Sequence, residues 1–216
     1  MTRSTVAADG GLVGWRRRAA LIVAAVVVTV LVPWFFPVGG GPTGFDRAVG
    51  EHVHSSFDGH AWIYRVLVAP SVAVVVVSLV VAGAGWFAYR REWWRAGFVL
   101  IAPEVAMVVN ALVLKPFWDR PLEGYLAYPS GHTVHLVAVV TAFALAGESA
   151  RVRVTAVVVM AVVLPVVLVG MVGMGYHYPT DVVGGAAAAV ALVAAVYLPV
   201  RYLAVRAGRT PRSPRQ

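Results

Sequence analysis

The sequence predicts an all-α polytopic membrane protein, a bundle of six transmembrane helices. The chain has 216 residues, of which 60% are hydrophobic and only 13% are charged. A soluble domain carries about 25% charged residues. Apolar runs recur along the chain, and most approach the roughly 20 residues that a helix needs to cross a bilayer. The charged residues lie in short clusters between these runs, so lipid is expected to cover much of the apolar surface.

The strong basic charge has a simpler explanation than nucleic-acid binding. The net charge is +8, but the basic residues flank apolar runs and form no stripe on a polar domain. This pattern is typical of membrane orientation. We therefore expect a bilayer and no nucleic acid as partner. The chain has no cysteine, which excludes disulfides and thiolate metal sites. The oligomeric state is not readable from the sequence.

The first apolar run, residues 19–36, follows a cluster of three arginines at 16–18. A cleaved signal peptide is the alternative interpretation. The run is long for the apolar region of a signal peptide, and residues 33–36 (Pro-Trp-Phe-Phe) make a poor cleavage site. We therefore interpret it as a retained first helix, preceded by a cytoplasmic segment at 1–18.

Five further spans follow, separated by segments rich in charge, proline or glycine. Between the first two spans, residues 37–58 form an external loop whose apolar residues recur at helical spacing, which predicts a short interfacial helix. A polar loop at 115–129 separates the third and fourth spans. The second to sixth spans are predicted at residues 62–89, 96–114, 131–146, 154–174 and 180–200.

The distribution of arginine predicts the orientation. Most basic residues fall in the amino-terminal segment, in the turns at 90–95 and 148–153, and in a basic tail at 201–216. An even number of spans places all of these on one side, which the positive-inside rule identifies as the cytoplasm. The sequence therefore predicts a six-helix transmembrane domain at 19–200 in the plasma (inner) membrane. Both termini are expected in the cytoplasm.

Three polar segments, 115–121, 128–133 and 175–181, are gathered by this topology at the outer end of the bundle. Chemistry on a phosphate ester needs donors for the phosphate oxygens, a nucleophile and a proton for the leaving oxygen. Lys115 and Arg120 supply positive charge for the phosphate. The other donors come from a helix start, where free N–H groups and the helix dipole favour an anion. That helix begins with Ser130 and Gly131.

The same segments supply the groups that move protons. His132 and His177 can divide the roles of nucleophile and acid between them. Asp181 lies four residues after His177, so its carboxylate can hold one ring nitrogen and leave the other free to attack. Taken singly, Ser130 is more simply a helix N-cap and Asp181 a residue favoured at a helix start. Their order and shared membrane face favour the functional interpretation.

Two motifs carry a family resemblance, which covers about residues 110–185. The chain reads Pro129-Ser130-Gly131-His132 and later His177-Tyr178-Pro179-Thr180-Asp181. These motifs resemble those of the type 2 phosphatidate phosphatases, membrane lipid phosphatases that share their site with vanadium haloperoxidases.

That resemblance implies roles for individual residues. His177 would attack phosphorus and form a phosphohistidine, Asp181 would orient His177, and His132 would protonate the leaving group. It implies no metal and no cofactor. The residues that the resemblance assigns to the phosphate oxygens are Lys115, Arg120, Ser130 and Gly131.

The chain departs from the family pattern at two places. The family usually has six residues between its lysine and an Arg-Pro pair, whereas four separate Lys115 from Arg120 here. An arginine of the family's third motif is replaced by Met171. The intact Ser130, His132, His177 and Asp181 nevertheless favour an active phosphatase, which is expected to act on an outward-facing lipid phosphate. The alternative is a catalytically weakened relative that binds lipid phosphates or acts in a membrane assembly.

Other residues have open interpretations. His135 lies one turn beyond His132 and is expected to contact a neighbouring helix. Glu104, inside the third span, either has a function or makes a structural hydrogen bond. A transporter would also fit six spans, but no broken-helix repeat supports it. The substrate candidates are polyprenyl diphosphate, polyprenyl monophosphate, phosphatidate and phosphatidylglycerophosphate.

Overall fold

The computed structural model describes residues 19–147 and 149–208, and this part of the chain is almost entirely helical. The predicted segment at 1–18 and the end of the predicted tail, from 209, lie outside the described residues. A π-helical segment, Asn110–Leu114, lies within the third predicted span. The helices are α1 (Ala19–Phe35), α2 (Gly44–Phe57), α3 (Trp62–Val68), α4 (Ala73–Tyr89), α5 (Trp93–Val109), α6 (Lys115–Trp118), α7 (Gly131–Ala146), α8 (Ala150–Gly173) and α9 (Pro179–Arg206).

The bundle has the length and hydropathy of a membrane protein. Four helical stretches are long and apolar enough to cross a bilayer: Trp62–Tyr89, Trp93–Trp118, Ala150–Gly173 and Pro179–Arg206. Two shorter helices, α1 and α7, are also apolar. The prediction of an all-α membrane bundle is therefore confirmed, while the count of six spans stays a prediction.

Helix α7 lies at the centre of the bundle. Its 16 residues correspond to about 24 Å at 1.5 Å per residue, less than the roughly 30 Å of a hydrocarbon core. Seven successive side chains, residues 133–139, are buried, so the helix is enclosed on all its faces. It packs against α9, α5, α8 and α4. Its polar amino-terminal end is therefore surrounded by protein rather than by lipid.

Helix boundaries differ from the predictions at functionally relevant places. The third span continues past residue 114, so Lys115 projects from the end of a helix and not from a loop. The sixth span continues to Arg206, so the first part of the predicted tail is helical. The second span is interrupted by a 3-10 turn, Ala69–Ser71. Pro70 explains this break, because proline has no N–H to continue the helical hydrogen bonds. The predicted interfacial helix is present as α2.

A short β-hairpin, absent from the sequence prediction, covers the end of α7. Strands β1 (Pro121–Leu122) and β2 (Tyr125–Leu126) pair antiparallel. The two residues between them, Glu123 (φ 44°) and Gly124 (φ 88°), both have left-handed backbone conformations. Such a pair makes the tight turn whose twist matches a hairpin. The hairpin places Tyr125 beside the polar end of the bundle.

Close packing between α3 and α8 depends on Gly170. A Cβ atom at this position would lie 2.5 Å from the backbone nitrogen of Val68 and 2.9 Å from the carbonyl oxygen of Tyr64. Small residues allow helix backbones to approach closely in membranes. We expect Gly170→Ala to destabilise the protein by about 1–3 kcal/mol because backbone, not a flexible side chain, must move. The thermal unfolding midpoint in one detergent measures this.

Gly85→Ala is the matched control for that prediction. Gly85 lies in α4, where a Cβ atom would meet nothing within 4 Å. Since alanine is the better helix former by about 1 kcal/mol, this change should leave the midpoint unchanged or raise it. Equal midpoints for Gly170→Ala and Gly85→Ala would contradict the packing argument.

Candidate active site

Residues from three parts of the chain meet at the polar end of the bundle. They come from the end of the α5–α6 helix, the start of α7 and the loop that enters α9. Together with the hairpin and the turn that enters α4, they surround a cavity of about 300 Å³. The lining residues are Ser71, Ala73, Met107, Lys115, Tyr125, Gly131, His132, His135 and His177.

His177 and Asp181 form the pair that the sequence predicted. The Nδ1 atom of His177 lies 3.7 Å from Oδ2 of Asp181, longer than a hydrogen bond. This Nδ1 is buried and has no hydrogen-bond partner among the described residues. Catalytic hydrogen bonds are often long without substrate and tighten when it binds. With Nδ1 turned to the carboxylate, Nε2 is the nitrogen available to a substrate in the cavity.

His132 lies beside His177 at the start of α7. The centroids of the two imidazole rings are 5.9 Å apart, with the rings inclined at 74°. The other face of His132 stacks on Tyr176, with centroids 5.8 Å apart and the rings 6° from parallel. The neighbouring ring of Tyr125 packs edge-on against His177 at 6.1 Å. These aromatic contacts fix the orientation of both imidazoles in the cavity.

Lys115 and Gly131 also line the cavity. The Nζ atom of Lys115 donates a hydrogen bond to the carbonyl oxygen of Leu126 and lies 5.8 Å from the centre of the Tyr125 ring. Gly131 is the first residue of α7, where N–H groups have no partner within the helix. The cavity therefore offers an ammonium group and a helix start, both suited to an anion.

Asn110 and the π-helical segment help to place Lys115. Asn110 is fully buried, and its Nδ2 atom donates to the carbonyl oxygen of Pro129 at 3.3 Å. This bond ties the third span to the segment just before α7. The π-helical residues follow directly and end at Lys115. Such segments are frequent at functional sites.

Arg120 is fully buried and does not reach the cavity. Its guanidinium lies between the rings of Phe36, at 3.8 Å, and Tyr178, at 4.6 Å. A guanidinium has five N–H donors, and each of them has an acceptor here. The acceptors are the carbonyl oxygens of Gly40 (2.9 Å) and Gly41 (2.9 Å), Oγ1 of Thr180 (2.8 Å), Oδ1 of Asp181 (2.6 Å) and Oδ2 of Asp46 (3.1 Å).

These contacts bear on the phosphate role expected for Arg120, which stays a prediction. In this structure all five guanidinium donors already have acceptors within the chain. Arg120 bonds Asp181, and Asp181 in turn faces Nδ1 of His177. The contact therefore holds the Asp181 carboxylate in place next to His177.

Asp46 is a site residue that the sequence analysis missed. It is 2% exposed and lies in the first turn of α2. Besides Arg120, it accepts hydrogen bonds from the N–H of Thr43 and from the N–H and hydroxyl of Thr180, all at 2.9 Å. The Thr43-x-x-Asp46 spacing is a helix-capping signal. That signal predicts the start of α2. It does not predict that Asp46 also bonds Thr180 in α9 and Arg120, which directly precedes β1.

The acid stability of the protein should depend on Asp46. Burial alone would raise the pKa of Asp46, but hydrogen bonds from Thr43, Thr180 and Arg120 outweigh it and lower the pKa below 3.8. A carboxylate with a lowered pKa stabilises the fold above its unfolded-state pKa, and this stability is lost as the pH falls through the folded-state pKa. We expect the difference in unfolding midpoint between the wild type and Asp46→Asn to be constant from pH 7 to about pH 5. The difference should shrink below about pH 4.

Thermal unfolding of both proteins across this pH range measures the effect. Glu51→Gln is the control, because Glu51 is an exposed carboxylate of the same helix and lies outside this network. A difference that stays constant down to pH 3 would contradict the assignment to Asp46.

Ser130 is buried behind the cavity and does not line it. Its Oγ accepts from the N–H and hydroxyl of Thr133, at 3.4 and 3.1 Å, and contacts the sulfur of Met171 at 3.7 Å. Its backbone N–H donates to the carbonyl oxygen of Asp181 at 3.0 Å. In this geometry Ser130 caps α7 and fixes it to α9. The phosphate contact expected for Ser130 stays a prediction. Met171, which stands where the family has an arginine, is fully buried.

Residues 19–147 and 149–208 contain no group of three or more His, Cys, Asp or Glu side chains arranged to hold a metal ion. His135 and Glu104 form a separate pair deeper in the bundle, with Nε2 and Oε1 3.0 Å apart.

The fold and the cavity define a helical membrane protein with a histidine-based site at one end of its bundle. The family model described as the PAP2 superfamily matches residues 19–204. The chain belongs to the PAP2 superfamily and is a membrane phosphatase. This confirms the resemblance drawn from the two motifs. No curated protein and no solved structure matches the chain.

Proposed function

We propose that this phosphatase hydrolyses a lipid phosphate or polyprenyl (di)phosphate on the extracytoplasmic face, through a phosphohistidine intermediate and without a metal ion. The observation that carries the proposal is the placement of His177. Its Nδ1 faces buried Asp181, while the same imidazole lines a cavity shared with His132. A nucleophile oriented by a carboxylate and accompanied by a second acid–base group is the arrangement that covalent catalysis needs.

In the first step, Nε2 of His177 attacks phosphorus. The bond from phosphorus to the lipid oxygen breaks, and its electron pair goes to that oxygen, which takes a proton from His132. In the second step His132 accepts a proton from water. The water oxygen bonds to phosphorus, the bond to nitrogen breaks, and inorganic phosphate leaves. Asp181 stabilises the positive charge that His177 carries in the intermediate.

Lys115 and the start of α7 are placed to hold the phosphate oxygens. Both border the cavity that His132 and His177 share. Donors fixed in place before the reaction stabilise the charge that develops on the oxygens in the transition state. Lys115 is the only lysine or arginine among the residues that line the cavity, so we expect it to be the main phosphate contact from a side chain.

The arginine distribution supports the outward orientation. Arg90 and Arg91 join α4 to α5 at the opposite end of the third span from Lys115. Arg201 and Arg206 lie at the far end of α9 from Asp181. The basic ends therefore lie opposite the cavity, and the positive-inside rule puts them in the cytoplasm.

One observation favours the alternative of a weakened relative that binds lipid phosphates. Arg120 has no free donor and Met171 replaces an arginine, so Lys115 lacks the arginine partners of the family pattern. Loss of one oxyanion donor costs about 10²–10³ in rate. Slow release from a tightly bound lipid would indicate this alternative.

The proposal is tested by phosphate release from the purified protein in detergent with EDTA. The lipids are undecaprenyl diphosphate, a polyprenyl monophosphate, phosphatidate and phosphatidylglycerophosphate. Release in EDTA, with acid-labile labelling of the protein by radioactive substrate, is the expected result. No release and no label from any of them would overturn it.

The acid role of His132 predicts a dependence on the leaving group. For a lipid phosphate, whose alkoxide needs a proton, we expect His132→Ala to lower kcat by about 10²–10³. For an aryl phosphate with an acidic phenol, the loss should be less than about tenfold, because that phenolate leaves without a proton. Equal losses on both substrates would contradict the assignment.

A further inference from the structure

The cavity continues into the bundle beyond His132. His135 follows three residues later on α7, so the two side chains share a helix face, with Cβ atoms about 5–6 Å apart. Both line the same cavity. Since α7 runs from the polar end into the bundle, His135 lies about one turn deeper. Ser71 and Met107 also line the cavity.

His135 is held in place by an acidic partner. Its Nε2 lies 3.0 Å from Oε1 of Glu104, on the facing helix α5. The side chain of His135 is 8% exposed and that of Glu104 is 48% exposed. Both residues lie in apolar helices of the bundle. The pair therefore joins α7 to α5, about one helical turn further along α7 than His132.

A purely structural hydrogen bond does not explain the position of this pair. Ionisable side chains within a membrane are costly, and they usually mark a substrate or proton path. Here one member of the pair borders the same cavity as the nucleophile. With Nε2 facing Glu104, Nδ1 of His135 is the nitrogen available to a ligand. A bound anion and Glu104 would then flank one imidazolium, which gives charge-assisted contacts on both sides.

We propose that His135, held by Glu104, forms a second anion subsite that binds the phosphate adjoining the reacting one. The enzyme therefore prefers lipid diphosphates to lipid monophosphates. This rests on the proposed function, in which His177 attacks the terminal phosphorus and His132 protonates the leaving oxygen.

The order of groups along the cavity matches the order of atoms in a diphosphate. His177 attacks the terminal phosphorus, and the bond to the bridging oxygen breaks. That oxygen keeps the electron pair and takes the proton from His132. The inner phosphate is bonded to this oxygen, one step towards the lipid chain, and His135 lies one step deeper on the same helix face. Water then releases inorganic phosphate from His177, and a lipid monophosphate is the second product.

The test compares kcat/KM for a polyprenyl diphosphate and a polyprenyl monophosphate of the same chain length. We expect His135→Phe to lose about 10–100-fold on the diphosphate, the range for a hydrogen bond to a charged group. The loss on the monophosphate should be less than threefold. Glu104→Gln keeps a hydrogen-bonding partner for His135 but removes the charge. It should therefore lower the ratio of kcat/KM for the diphosphate to kcat/KM for the monophosphate, by a smaller factor than His135→Phe. The control is His60→Phe, the same change at an exposed histidine outside the cavity.

Equal losses on both lipids, or an unchanged ratio in both His135→Phe and Glu104→Gln, would overturn the subsite. Wild-type protein that releases phosphate from neither lipid would instead overturn the proposed function. In that case binding of a methylene-bridged diphosphonate lipid and of a monophosphonate lipid still tests the subsite. His135→Phe should then raise Kd at least tenfold for the diphosphonate alone, and unchanged binding of both lipids would count against it. Size-exclusion profiles and unfolding midpoints show whether the variants are folded.

Discussion

Replacing His177 by alanine is expected to lower phosphate release by at least about 10⁴-fold, since removal of a nucleophile costs up to about 10⁶ in kcat where the residues act as a unit. The geometry supports this size of effect. Among the cavity-lining residues, His177 alone has a buried carboxylate facing one ring nitrogen while the other remains available.

Initial rates with the preferred lipid, in EDTA, measure the effect. His54→Ala is the matched control, because that histidine is also paired with an aspartate four residues later but is exposed and lies outside this cavity. Its rate should stay within about twofold of the wild type, the scale of a surface substitution. His177→Ala should also lose the acid-labile protein label. A His177→Ala protein that keeps a tenth of the activity would remove His177 from the nucleophile role.

Asp181→Asn separates orientation from nucleophilic attack. The amide keeps the shape of the side chain but removes the charge that matches a positive His177. In a serine protease triad, the corresponding change lowers kcat by about 10⁴. We expect Asp181→Asn to lower kcat by less than His177→Ala does, with the phosphohistidine label still detectable. That result would indicate that Asp181 positions His177.

The sequence predicts the bundle well because lipid imposes a simple requirement on it. A spanning helix must be apolar over a fixed length, so hydropathy alone locates the helical runs. The motif order then predicts that His132, Gly131 and Lys115 meet His177, and all four line one cavity. Hydropathy is less informative at the polar ends. There the third span continues into Lys115, and the turn at Glu123–Gly124 forms a hairpin.

Partners distant in sequence account for what could not be predicted. From the sequence alone, Arg120 is expected to bind phosphate because it lies near Lys115. Its acceptors are 74 residues away in Asp46 and 61 away in Asp181. The same holds for His135 and Glu104, 31 residues apart. The residue types indicated polar function in each case, but only the packed bundle identifies which groups pair.

Replacing Arg120 by methionine is expected to destabilise the protein by about 3–5 kcal/mol, the cost of removing one partner from a buried ion pair. Methionine retains much of the apolar stem but none of the donors. Asp46 and Asp181 have fully buried side chains, so both carboxylates would lose their cationic partner. Arg120→Lys should also destabilise, because an ammonium group cannot reproduce five directed N–H donors. Denaturation in mild detergent measures both variants.

A double-mutant cycle tests whether the loss comes from these contacts. Asp46→Asn in the Arg120→Met background removes one unpaired charge, so we expect the double variant to be more stable than additivity predicts. Coupling energies between contacting residues reach about 0.5–3 kcal/mol. Arg47 is the matched control, because it neighbours Asp46 in α2 but is exposed. Within residues 19–147 and 149–208 its side chain donates one hydrogen bond, to the Pro42 carbonyl oxygen at 3.0 Å. Arg47→Met should change stability by less than about 0.5 kcal/mol.

The same variants distinguish the two possible roles of Arg120. A phosphate-binding arginine would leave the ligand-free protein as stable as the wild type and would chiefly raise KM. An arginine that positions Asp181 lowers the stability of the ligand-free protein. It also lowers kcat in whatever fraction remains folded, because His177 loses its fixed carboxylate. Stability unchanged in Arg120→Met, together with a raised KM, would return Arg120 to the phosphate and contradict the hydrogen bonds that fill its donors.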